Sequence, residues 1–220
     1  MKIRSLALPL AALALVPAAA QAQGFGISGR VGTLGAGLEV AAAVGERLVL
    51  RGGAGFWPDF VQPQATFDEW DVELTLPTTY NVGLDVYLNG AFRIGGGLLF
   101  RADDPELSAE ATSPQEIGDT TFEPEEIGTL IGVLDSRDRA PYLLIGFGKH
   151  TDIGVGLTLD LGVAFMGEPE VGLRTEGGLL SPDQEPLRSE LEREAQRFED
   201  DMRSYLELWP ILSLGLRIGV

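Results

Sequence analysis

From residue 153 to residue 165 every second position is apolar: Ile153, Val155, Leu157, Leu159, Leu161, Val163 and Phe165 alternate with Gly154, Gly156, Thr158, Asp160, Gly162 and Ala164. A period of two puts the first set on one face of a strand and the second on the other. The same alternation sets Leu212, Leu214, Leu216, Ile218 and Val220 against Ser213, Gly215, Arg217 and Gly219. It recurs over 34–44, 47–57, 78–88, 91–101 and 140–149, with Val49 and Leu144 as apolar exceptions on the polar side. A soluble sandwich dresses its polar face with Lys, Glu, Thr and Ser. Here that face is mostly glycine, which suits a narrow barrel interior where side chains compete for space, while the apolar faces meet lipid.

The connections predict the same architecture. Short turns fall at Gly45-Glu46, Asn89-Gly90 and 149–152, and Asn-Gly is a strong two-residue hairpin signal. Long connections cover 58–71, 102–139 and 167–207. Short turns at one end and long loops at the other are how outer-membrane barrels are wired. With strands of roughly 9–11 residues, the chain outside the long connections has room for about eight. The fold class is therefore all-β: a small antiparallel up-and-down transmembrane barrel. An even count makes 25–31 the first strand, although its tight link through Gly32-Thr33 also reads as a bend in one long strand. Residues 128–134 have strand character too and suit an extra hairpin above the membrane.

One segment has a different period. Leu191, Ala195, Phe198, Met202 and Tyr205 recur at helical spacing, so 187–206 is predicted as an amphipathic helix with Pro186 near its start. Glu199 and Arg203 form a favourable i,i+4 pair on it. Lying just before the last strand, it is placed to cap the barrel mouth, enter the lumen or pair with a partner.

Residues 1–22 read as a secretory signal peptide. Lys2 and Arg4 supply the charged start, Leu6 through Val16 an apolar core too short to span a membrane, and Ala20-Gln21-Ala22 the cleavage site. The mature domain is then 23–220.

Composition narrows the chemistry. There is one His, no Cys, and 16 Lys+Arg against 33 Asp+Glu, for a formal charge of -17. Zinc clusters, thiol nucleophiles and disulfides are excluded, and so is the basic footprint that nucleic acid requires. The acidity is localised: 27 of the 33 acidic residues fall in the three long connections. That predicts a negatively charged outer face, suited to divalent cations or cationic partners. Asp103, Asp104, Glu106, Glu123, Glu125 and Glu126 are the candidate oxygen ligands, although their spacing matches no EF-hand loop and a solvated acidic loop is the simpler reading. No resident cofactor is expected beyond such a weakly held divalent cation.

The charges on the polar face of the strands are Arg30, Glu39, Arg51, Asp85, Arg93, Arg101, Asp160 and Arg217. Both signs are present, which predicts ion pairs across the lumen. Asp85 with Asp160 would serve as an acid/base pair in a hydrolase, but arginine partnering is the favoured role. His150, beside Lys149 in a short turn and without a clear nucleophile, is expected to be a solvated turn histidine. Gly95-Gly96-Gly97 lies inside an alternating strand, so it is not a phosphate loop. Phe56, Trp57, Phe60, Phe100 and Trp209, near strand ends, are expected to form an interfacial aromatic girdle. No catalytic constellation emerges, and the chain is read as a non-enzyme.

Several stretches resemble a family of small Gram-negative outer-membrane β-barrel proteins of OmpA/OmpW-like architecture, to which no reaction is assigned. They are 31–39 (VGTLGAGLE), 121–130 (TFEPEEIGTL), 140–148 (APYLLIGFG) and 161–169 (LGVAFMGEP), together with the acidic helix leading through Trp209-Pro210 to Leu214-Gly215-Leu216. The resemblance implies an outer-membrane location, contact with outer-membrane lipid and with the assembly machinery during biogenesis, and no catalytic residues. Such barrels commonly end in Phe, and this chain ends in Val220. The expected role is structural or surface-interacting, with a side-chain-filled lumen. The alternative is a narrow pore or transporter for small solutes, gated or plugged by the 187–206 helix.

Overall fold

A computed structural model describes residues 24–58, 64–67, 70–181 and 183–220. The expected signal peptide and Phe60 lie outside the described residues. Among them the elements run β1 (Phe25–Gly32), β2 (Gly35–Ala43), β3 (Leu48–Phe56), β4 (Gln64–Phe67), β5 (Trp70–Thr75), β6 (Thr79–Asn89), β7 (Phe92–Arg101), β8 (Glu106–Ala111), β9 (Gln115–Ile117) and β10 (Thr120–Phe122). There follow α1 (Pro124–Ile127), β11 (Gly128–Asp135), β12 (Arg139–Phe147), β13 (Gly154–Phe165), β14 (Glu170–Gly177), α2 (Leu187–Leu206) and β15 (Leu208–Gly219).

Eight strands close a barrel in the order β1-β15-β13-β12-β7-β6-β3-β2. Every neighbouring pair is antiparallel, and the seam is closed by β1 against β15, with Gly26 opposite Gly219 and Gly32 opposite Ser213. The first strand is thus separate from the second. The chain reverses through Thr33 and Leu34, and Gly35 takes a positive φ of 89° that a side chain would resist.

Alternation sorts the two faces as the pattern requires. Ile27, Leu38, Val82, Leu84, Leu98, Leu143, Leu157, Leu214 and Leu216 are exposed around the outside. Leu38, at 65% exposure, would be an anomaly on a water-soluble surface; in an apolar belt it is expected. Leu144 and Val49, the two exceptions to the alternation, are buried inside because they keep the parity of their strands. At the end of the barrel that bears the long connections the interior is apolar, built from Leu34, Leu99, Ala140, Ala164, Met166 and Ile211. Deeper in, it is charged.

The long connections are mostly not loops. They carry a second, open sheet in the order β14-β11-β8-β5-β4 and the small hairpin β9-β10. Residues 128–134, expected to suit an extra hairpin, form an interior strand of this sheet, paired with β8 on one side and the edge strand β14 on the other. One face of this sheet is apolar, with Leu107, Gly132 and Leu173 in one cross-strand row and Ala109 and Leu130 in the next. Helix α2 covers part of it: Leu187 and Leu191 pack with Ile117, Phe122 and Ile127, flanked by Leu130, Leu173 and Leu180. The helix spans the predicted residues but stands over this sheet rather than in the lumen, and Phe198, expected on its apolar stripe, is 47% exposed. Glu123 and Glu126 close a capping box around α1.

The aromatic girdle is corrected in part. Phe56 is exposed on the outer face, where Tyr80 of β6 also stands, paired with Phe100 of β7, but Trp209 turns inward against the luminal apolar cluster and donates its indole N–H to the Thr33 carbonyl at 3.4 Å. Its position has the same parity as Ile211, which faces in. Phe92 and Phe147, 5.2 Å apart, form an aromatic pair at the short-turn end.

Candidate functional site

The concentration of chemistry in this chain is inside the barrel, where inward positions of successive strands bring fixed charges together. Arg51 of β3 is central. Its Nη1 lies 2.8 Å from Asp160 and 3.4 Å from Glu39, and its Nε lies 3.3 Å from Asp85. Arg93 of β7 pairs with Asp85 at 2.7 Å and also with Asp160. Arg30 of β1 reaches Glu39 at 3.4 Å and donates to Asn81 Oδ1 at 2.6 Å. The Arg51 guanidinium also stands 5.8 Å from the centre of the Tyr142 ring.

All of these groups are buried. A buried ion costs several kcal/mol in desolvation unless partners surround it, which is why each carboxylate here touches two guanidiniums. Asp85 and Asp160 share Arg51 and Arg93, so both are occupied as counter-ions rather than poised as an acid/base pair. The glycines make the space. A Cβ at Gly95 would sit 2.0 Å from Asp85 Oδ1, and one at Gly146 would sit 2.4 Å from Arg93 Cζ. Gly95 of β7 therefore leaves room for the carboxylate of Asp85, its paired neighbour on β6.

Two of the eight predicted luminal charges stand apart from this network. Arg101, at the long-connection end, pairs with Asp104 at 3.1 Å and donates to the Ser136 carbonyl at 3.0 Å. Burial pushes the Asp104 carboxyl up from its ordinary value, and the Arg101 guanidinium pulls against that shift. Arg217, near the short-turn end, donates to the carbonyl oxygens of Asp152 and Gly154 instead of pairing with a carboxylate.

His150 is the correction that matters most. Expected in solvent, it is 1% exposed. The turn after β12 folds back under the lumen, with Gly148 at φ 95° making the reversal. The ring is placed between two carboxylates, Nδ1 3.6 Å from Glu39 Oε1 and Nε2 3.4 Å from Asp85 Oδ2. A signal was present in the sequence: even-numbered positions of β12 face in, and 150 continues that parity.

The acidic candidates do not converge. Glu106 pairs with Arg174 at 3.1 Å, Asp104 with Arg101, and Glu126 accepts the Glu123 N–H at 2.9 Å. Among the described residues no three His, Cys, Asp or Glu side chains form a group able to hold a metal ion. Asp103, Glu123 and Glu125 thus belong to surface connections and the α1 cap.

Little space remains inside. A void lined by Arg30, Arg51, Asn81, Tyr142, Asp160 and Ser213 measures about 10 Å³, near the minimum for one water molecule. On the short-turn side an open vestibule of about 290 Å³, lined by Arg47, Val49, Tyr87, Lys149 and Asp152, leads up to this filled interior.

No protein-family model and no curated protein matches the chain. Among solved structures it is similar to CarO2 of Acinetobacter baumannii, with a TM-score of 0.60 and 18% identity over 91% of this chain and 100% of that one. CarO of the same organism matches with a TM-score of 0.56 and 17% identity over 88% and 96% of the two chains. At that identity the likeness speaks to architecture, and the architecture is a closed, eight-stranded, antiparallel, up-and-down β-barrel with a helix before its final strand.

Proposed function

We propose that this protein is an outer-membrane barrel of a Gram-negative bacterium, exported through its N-terminal signal, whose role is structural or surface-interacting. The observation that carries the reading is the filled lumen: an apolar layer near one mouth and a paired ionic layer beneath it, with a void of only about 10 Å³ between them. An eight-stranded barrel has an interior just wide enough for side chains, and this one uses that width. The apolar belt supports a lipid setting, and the similarity to the two Acinetobacter structures supports the barrel. The barrel then acts as a rigid membrane anchor for the acidic sheet-and-helix platform, whose outer charge suits cationic or divalent-cation ligands.

A narrow pore is the second reading, and the open vestibule on the short-turn side favours it. Conduction would require the luminal ion pairs to rearrange, because α2 packs on the second sheet. Planar-bilayer recording of the refolded chain, with and without residues 183–206, separates the two. Absence of channels in both forms is expected. Stable unitary conductance in the intact chain would overturn the structural reading, and conductance appearing only on deletion would make the helix a gate. Heat-modifiable gel mobility, with surface protease access to 102–139, tests membrane insertion and orientation; partition into the aqueous phase would instead mark a soluble barrel.

A further inference from the structure

Nine charged side chains stand on the eight barrel strands, and eight of them are buried in the lumen. Arg139, the first residue of β12, is the ninth and faces outward. It is exposed, as are Pro141 and Leu143, which share its parity, while Ala140 and Tyr142 between them are buried. An outward arginine is costly at the middle of a bilayer and nearly free at its surface. Its neighbours put it at the surface. It stands opposite Phe100 of β7, which stands opposite Tyr80 of β6, so an aromatic row ends at Arg139 on the long-connection rim. One step down, Leu98 is opposite Pro141, and Leu98 and Leu143 continue the apolar wall at 43% and 59% exposure.

A second arginine lies close by in the chain. Arg137 is exposed as well, and its side chain runs along Gly167, just beyond β13, where a Cβ would sit 2.8 Å from the guanidinium Nε. Neither Arg137 nor Arg139 has an ion pair among the described residues. That sets them apart at the acidic end of the molecule, where Arg174, Arg188, Arg193 and Arg197 each hold a carboxylate. Asp135 and Asp138, their neighbours in sequence, act with Asp104 on the buried guanidinium of Arg101.

Given the membrane setting proposed above, on which this rests, we propose that Arg139 and Arg137 form a headgroup site on the outside of the barrel: their guanidiniums take the phosphate of a phosphorylated lipid in the leaflet at the long-connection end, and its chain lies down the wall of β7 and β12 over Leu98, Pro141 and Leu143.

The chemistry matches on both counts. A guanidinium is a planar fork of N–H donors that grips phosphate oxygens in pairs, and cations at the edge of a hydrocarbon belt attract anionic headgroups. A free anion would gain only the first of these contacts. A lipid gains the phosphate contact and the apolar wall together, and it is already concentrated at this depth.

The test is native mass spectrometry of the full chain, refolded in vesicles, transferred to detergent micelles and titrated with lipid A bearing its phosphates. Arg139→Gln is expected to weaken binding roughly tenfold, and Arg137→Gln by a smaller factor of about three. Lys149→Gln, at the opposite mouth, should bind as the wild type does. Lipid A stripped of phosphate should bind the wild type as weakly as the intact lipid binds R139Q, and excess inorganic phosphate should not displace the intact lipid. Wild-type affinity in R139Q overturns the proposal, as does an equal loss in K149Q or equal affinity for the stripped lipid. Displacement by inorganic phosphate overturns it too, by marking a free-anion site. Should R139Q give no heat-modifiable band, the stripped lipid decides. A wild-type chain that gives the band but shows no preference for phosphate sinks this site alone, whereas a chain that never enters vesicles sinks the membrane reading with it.

Discussion

In β13 the leucines at 157 and 161 face outward and Asp160 faces inward; in the sheet carried by the long connections Leu130 and Leu173 face inward and Glu110 and Glu176 face outward. Both regions are antiparallel sheets with strands of the same alternation, and they assign it in opposite senses. With the barrel set in hydrocarbon, as proposed above, its apolar residues need no cover and its charges must be hidden and paired. The open sheet stands where water can reach it, so its apolar face needs a lid, which α2 and the β9-β10 hairpin provide. Hence the strands in the connections are short and are helped by a helix, whereas the barrel strands are helped only by one another. Closure removes the edge in the barrel; the open sheet retains β4 and β14 as edges.

If this division is right, the luminal pairs are the costliest to break. Arg93→Ala leaves Asp85 and Asp160 short of a partner in a buried interior and is expected to lower barrel stability by about 3–5 kcal/mol, read from urea unfolding in vesicles. Leu191→Ala, on the buried stripe of α2, is expected to cost about 2–5 kcal/mol within the platform. It should speed exchange in 187–195 and in β9-β10 while the heat-modifiable barrel band persists; loss of that band would show that the two regions fold as one. Leu161→Arg, on the lipid face, is expected to destabilise the barrel by about 2–4 kcal/mol in a bilayer. The same outward-facing change in the second sheet, Thr129→Arg, should fall within about 0.5 kcal/mol.

The smallest effect belongs to Asp119, in the hairpin turn, which pairs with Arg197 at 2.7 Å and Arg193 at 2.9 Å on α2. Those arginines, Arg197 foremost, hold its carboxyl below the ordinary aspartate value. Its contribution is therefore intact above that ordinary value and is lost as the pH falls through the lowered one. Asp119→Asn should remove the acid-dependent part of the hairpin's exchange protection and change little at neutral pH. An unchanged acid response in the variant would show that the helix is held by its apolar stripe alone.

The barrel was legible residue by residue because its information is local. A period of two in the sequence is a face in the structure whatever the partner strand, and glycine opposite an apolar residue already marks the crowded side. The helix was legible for the same reason, through Leu191 and Ala195. The second sheet was not, because β8 and β14 are short, acidic and far from β11 in sequence. Only pairing across the long connections, Leu107 with Gly132 and Leu173 with the same residue, makes them strands. Trp209 was placed among lipid-facing aromatics by its nearness to a strand end, although its parity pointed inward.

Sequence by itself determined the strand faces, the count of about eight, the side of the chain that carries the acidity and which charges point into the lumen, since each follows from periodicity and position along one strand. Tertiary structure decided which of those charges meet. Arg51 reaches Glu39 on its neighbour β2, Asp85 on β6 and Asp160 on β13 across the lumen, and no spacing along the chain encodes a distance across a closed cylinder. It also decided His150: a turn that looks solvated in one dimension lies under the barrel in three, because closure puts the floor of the lumen next to the end of β12.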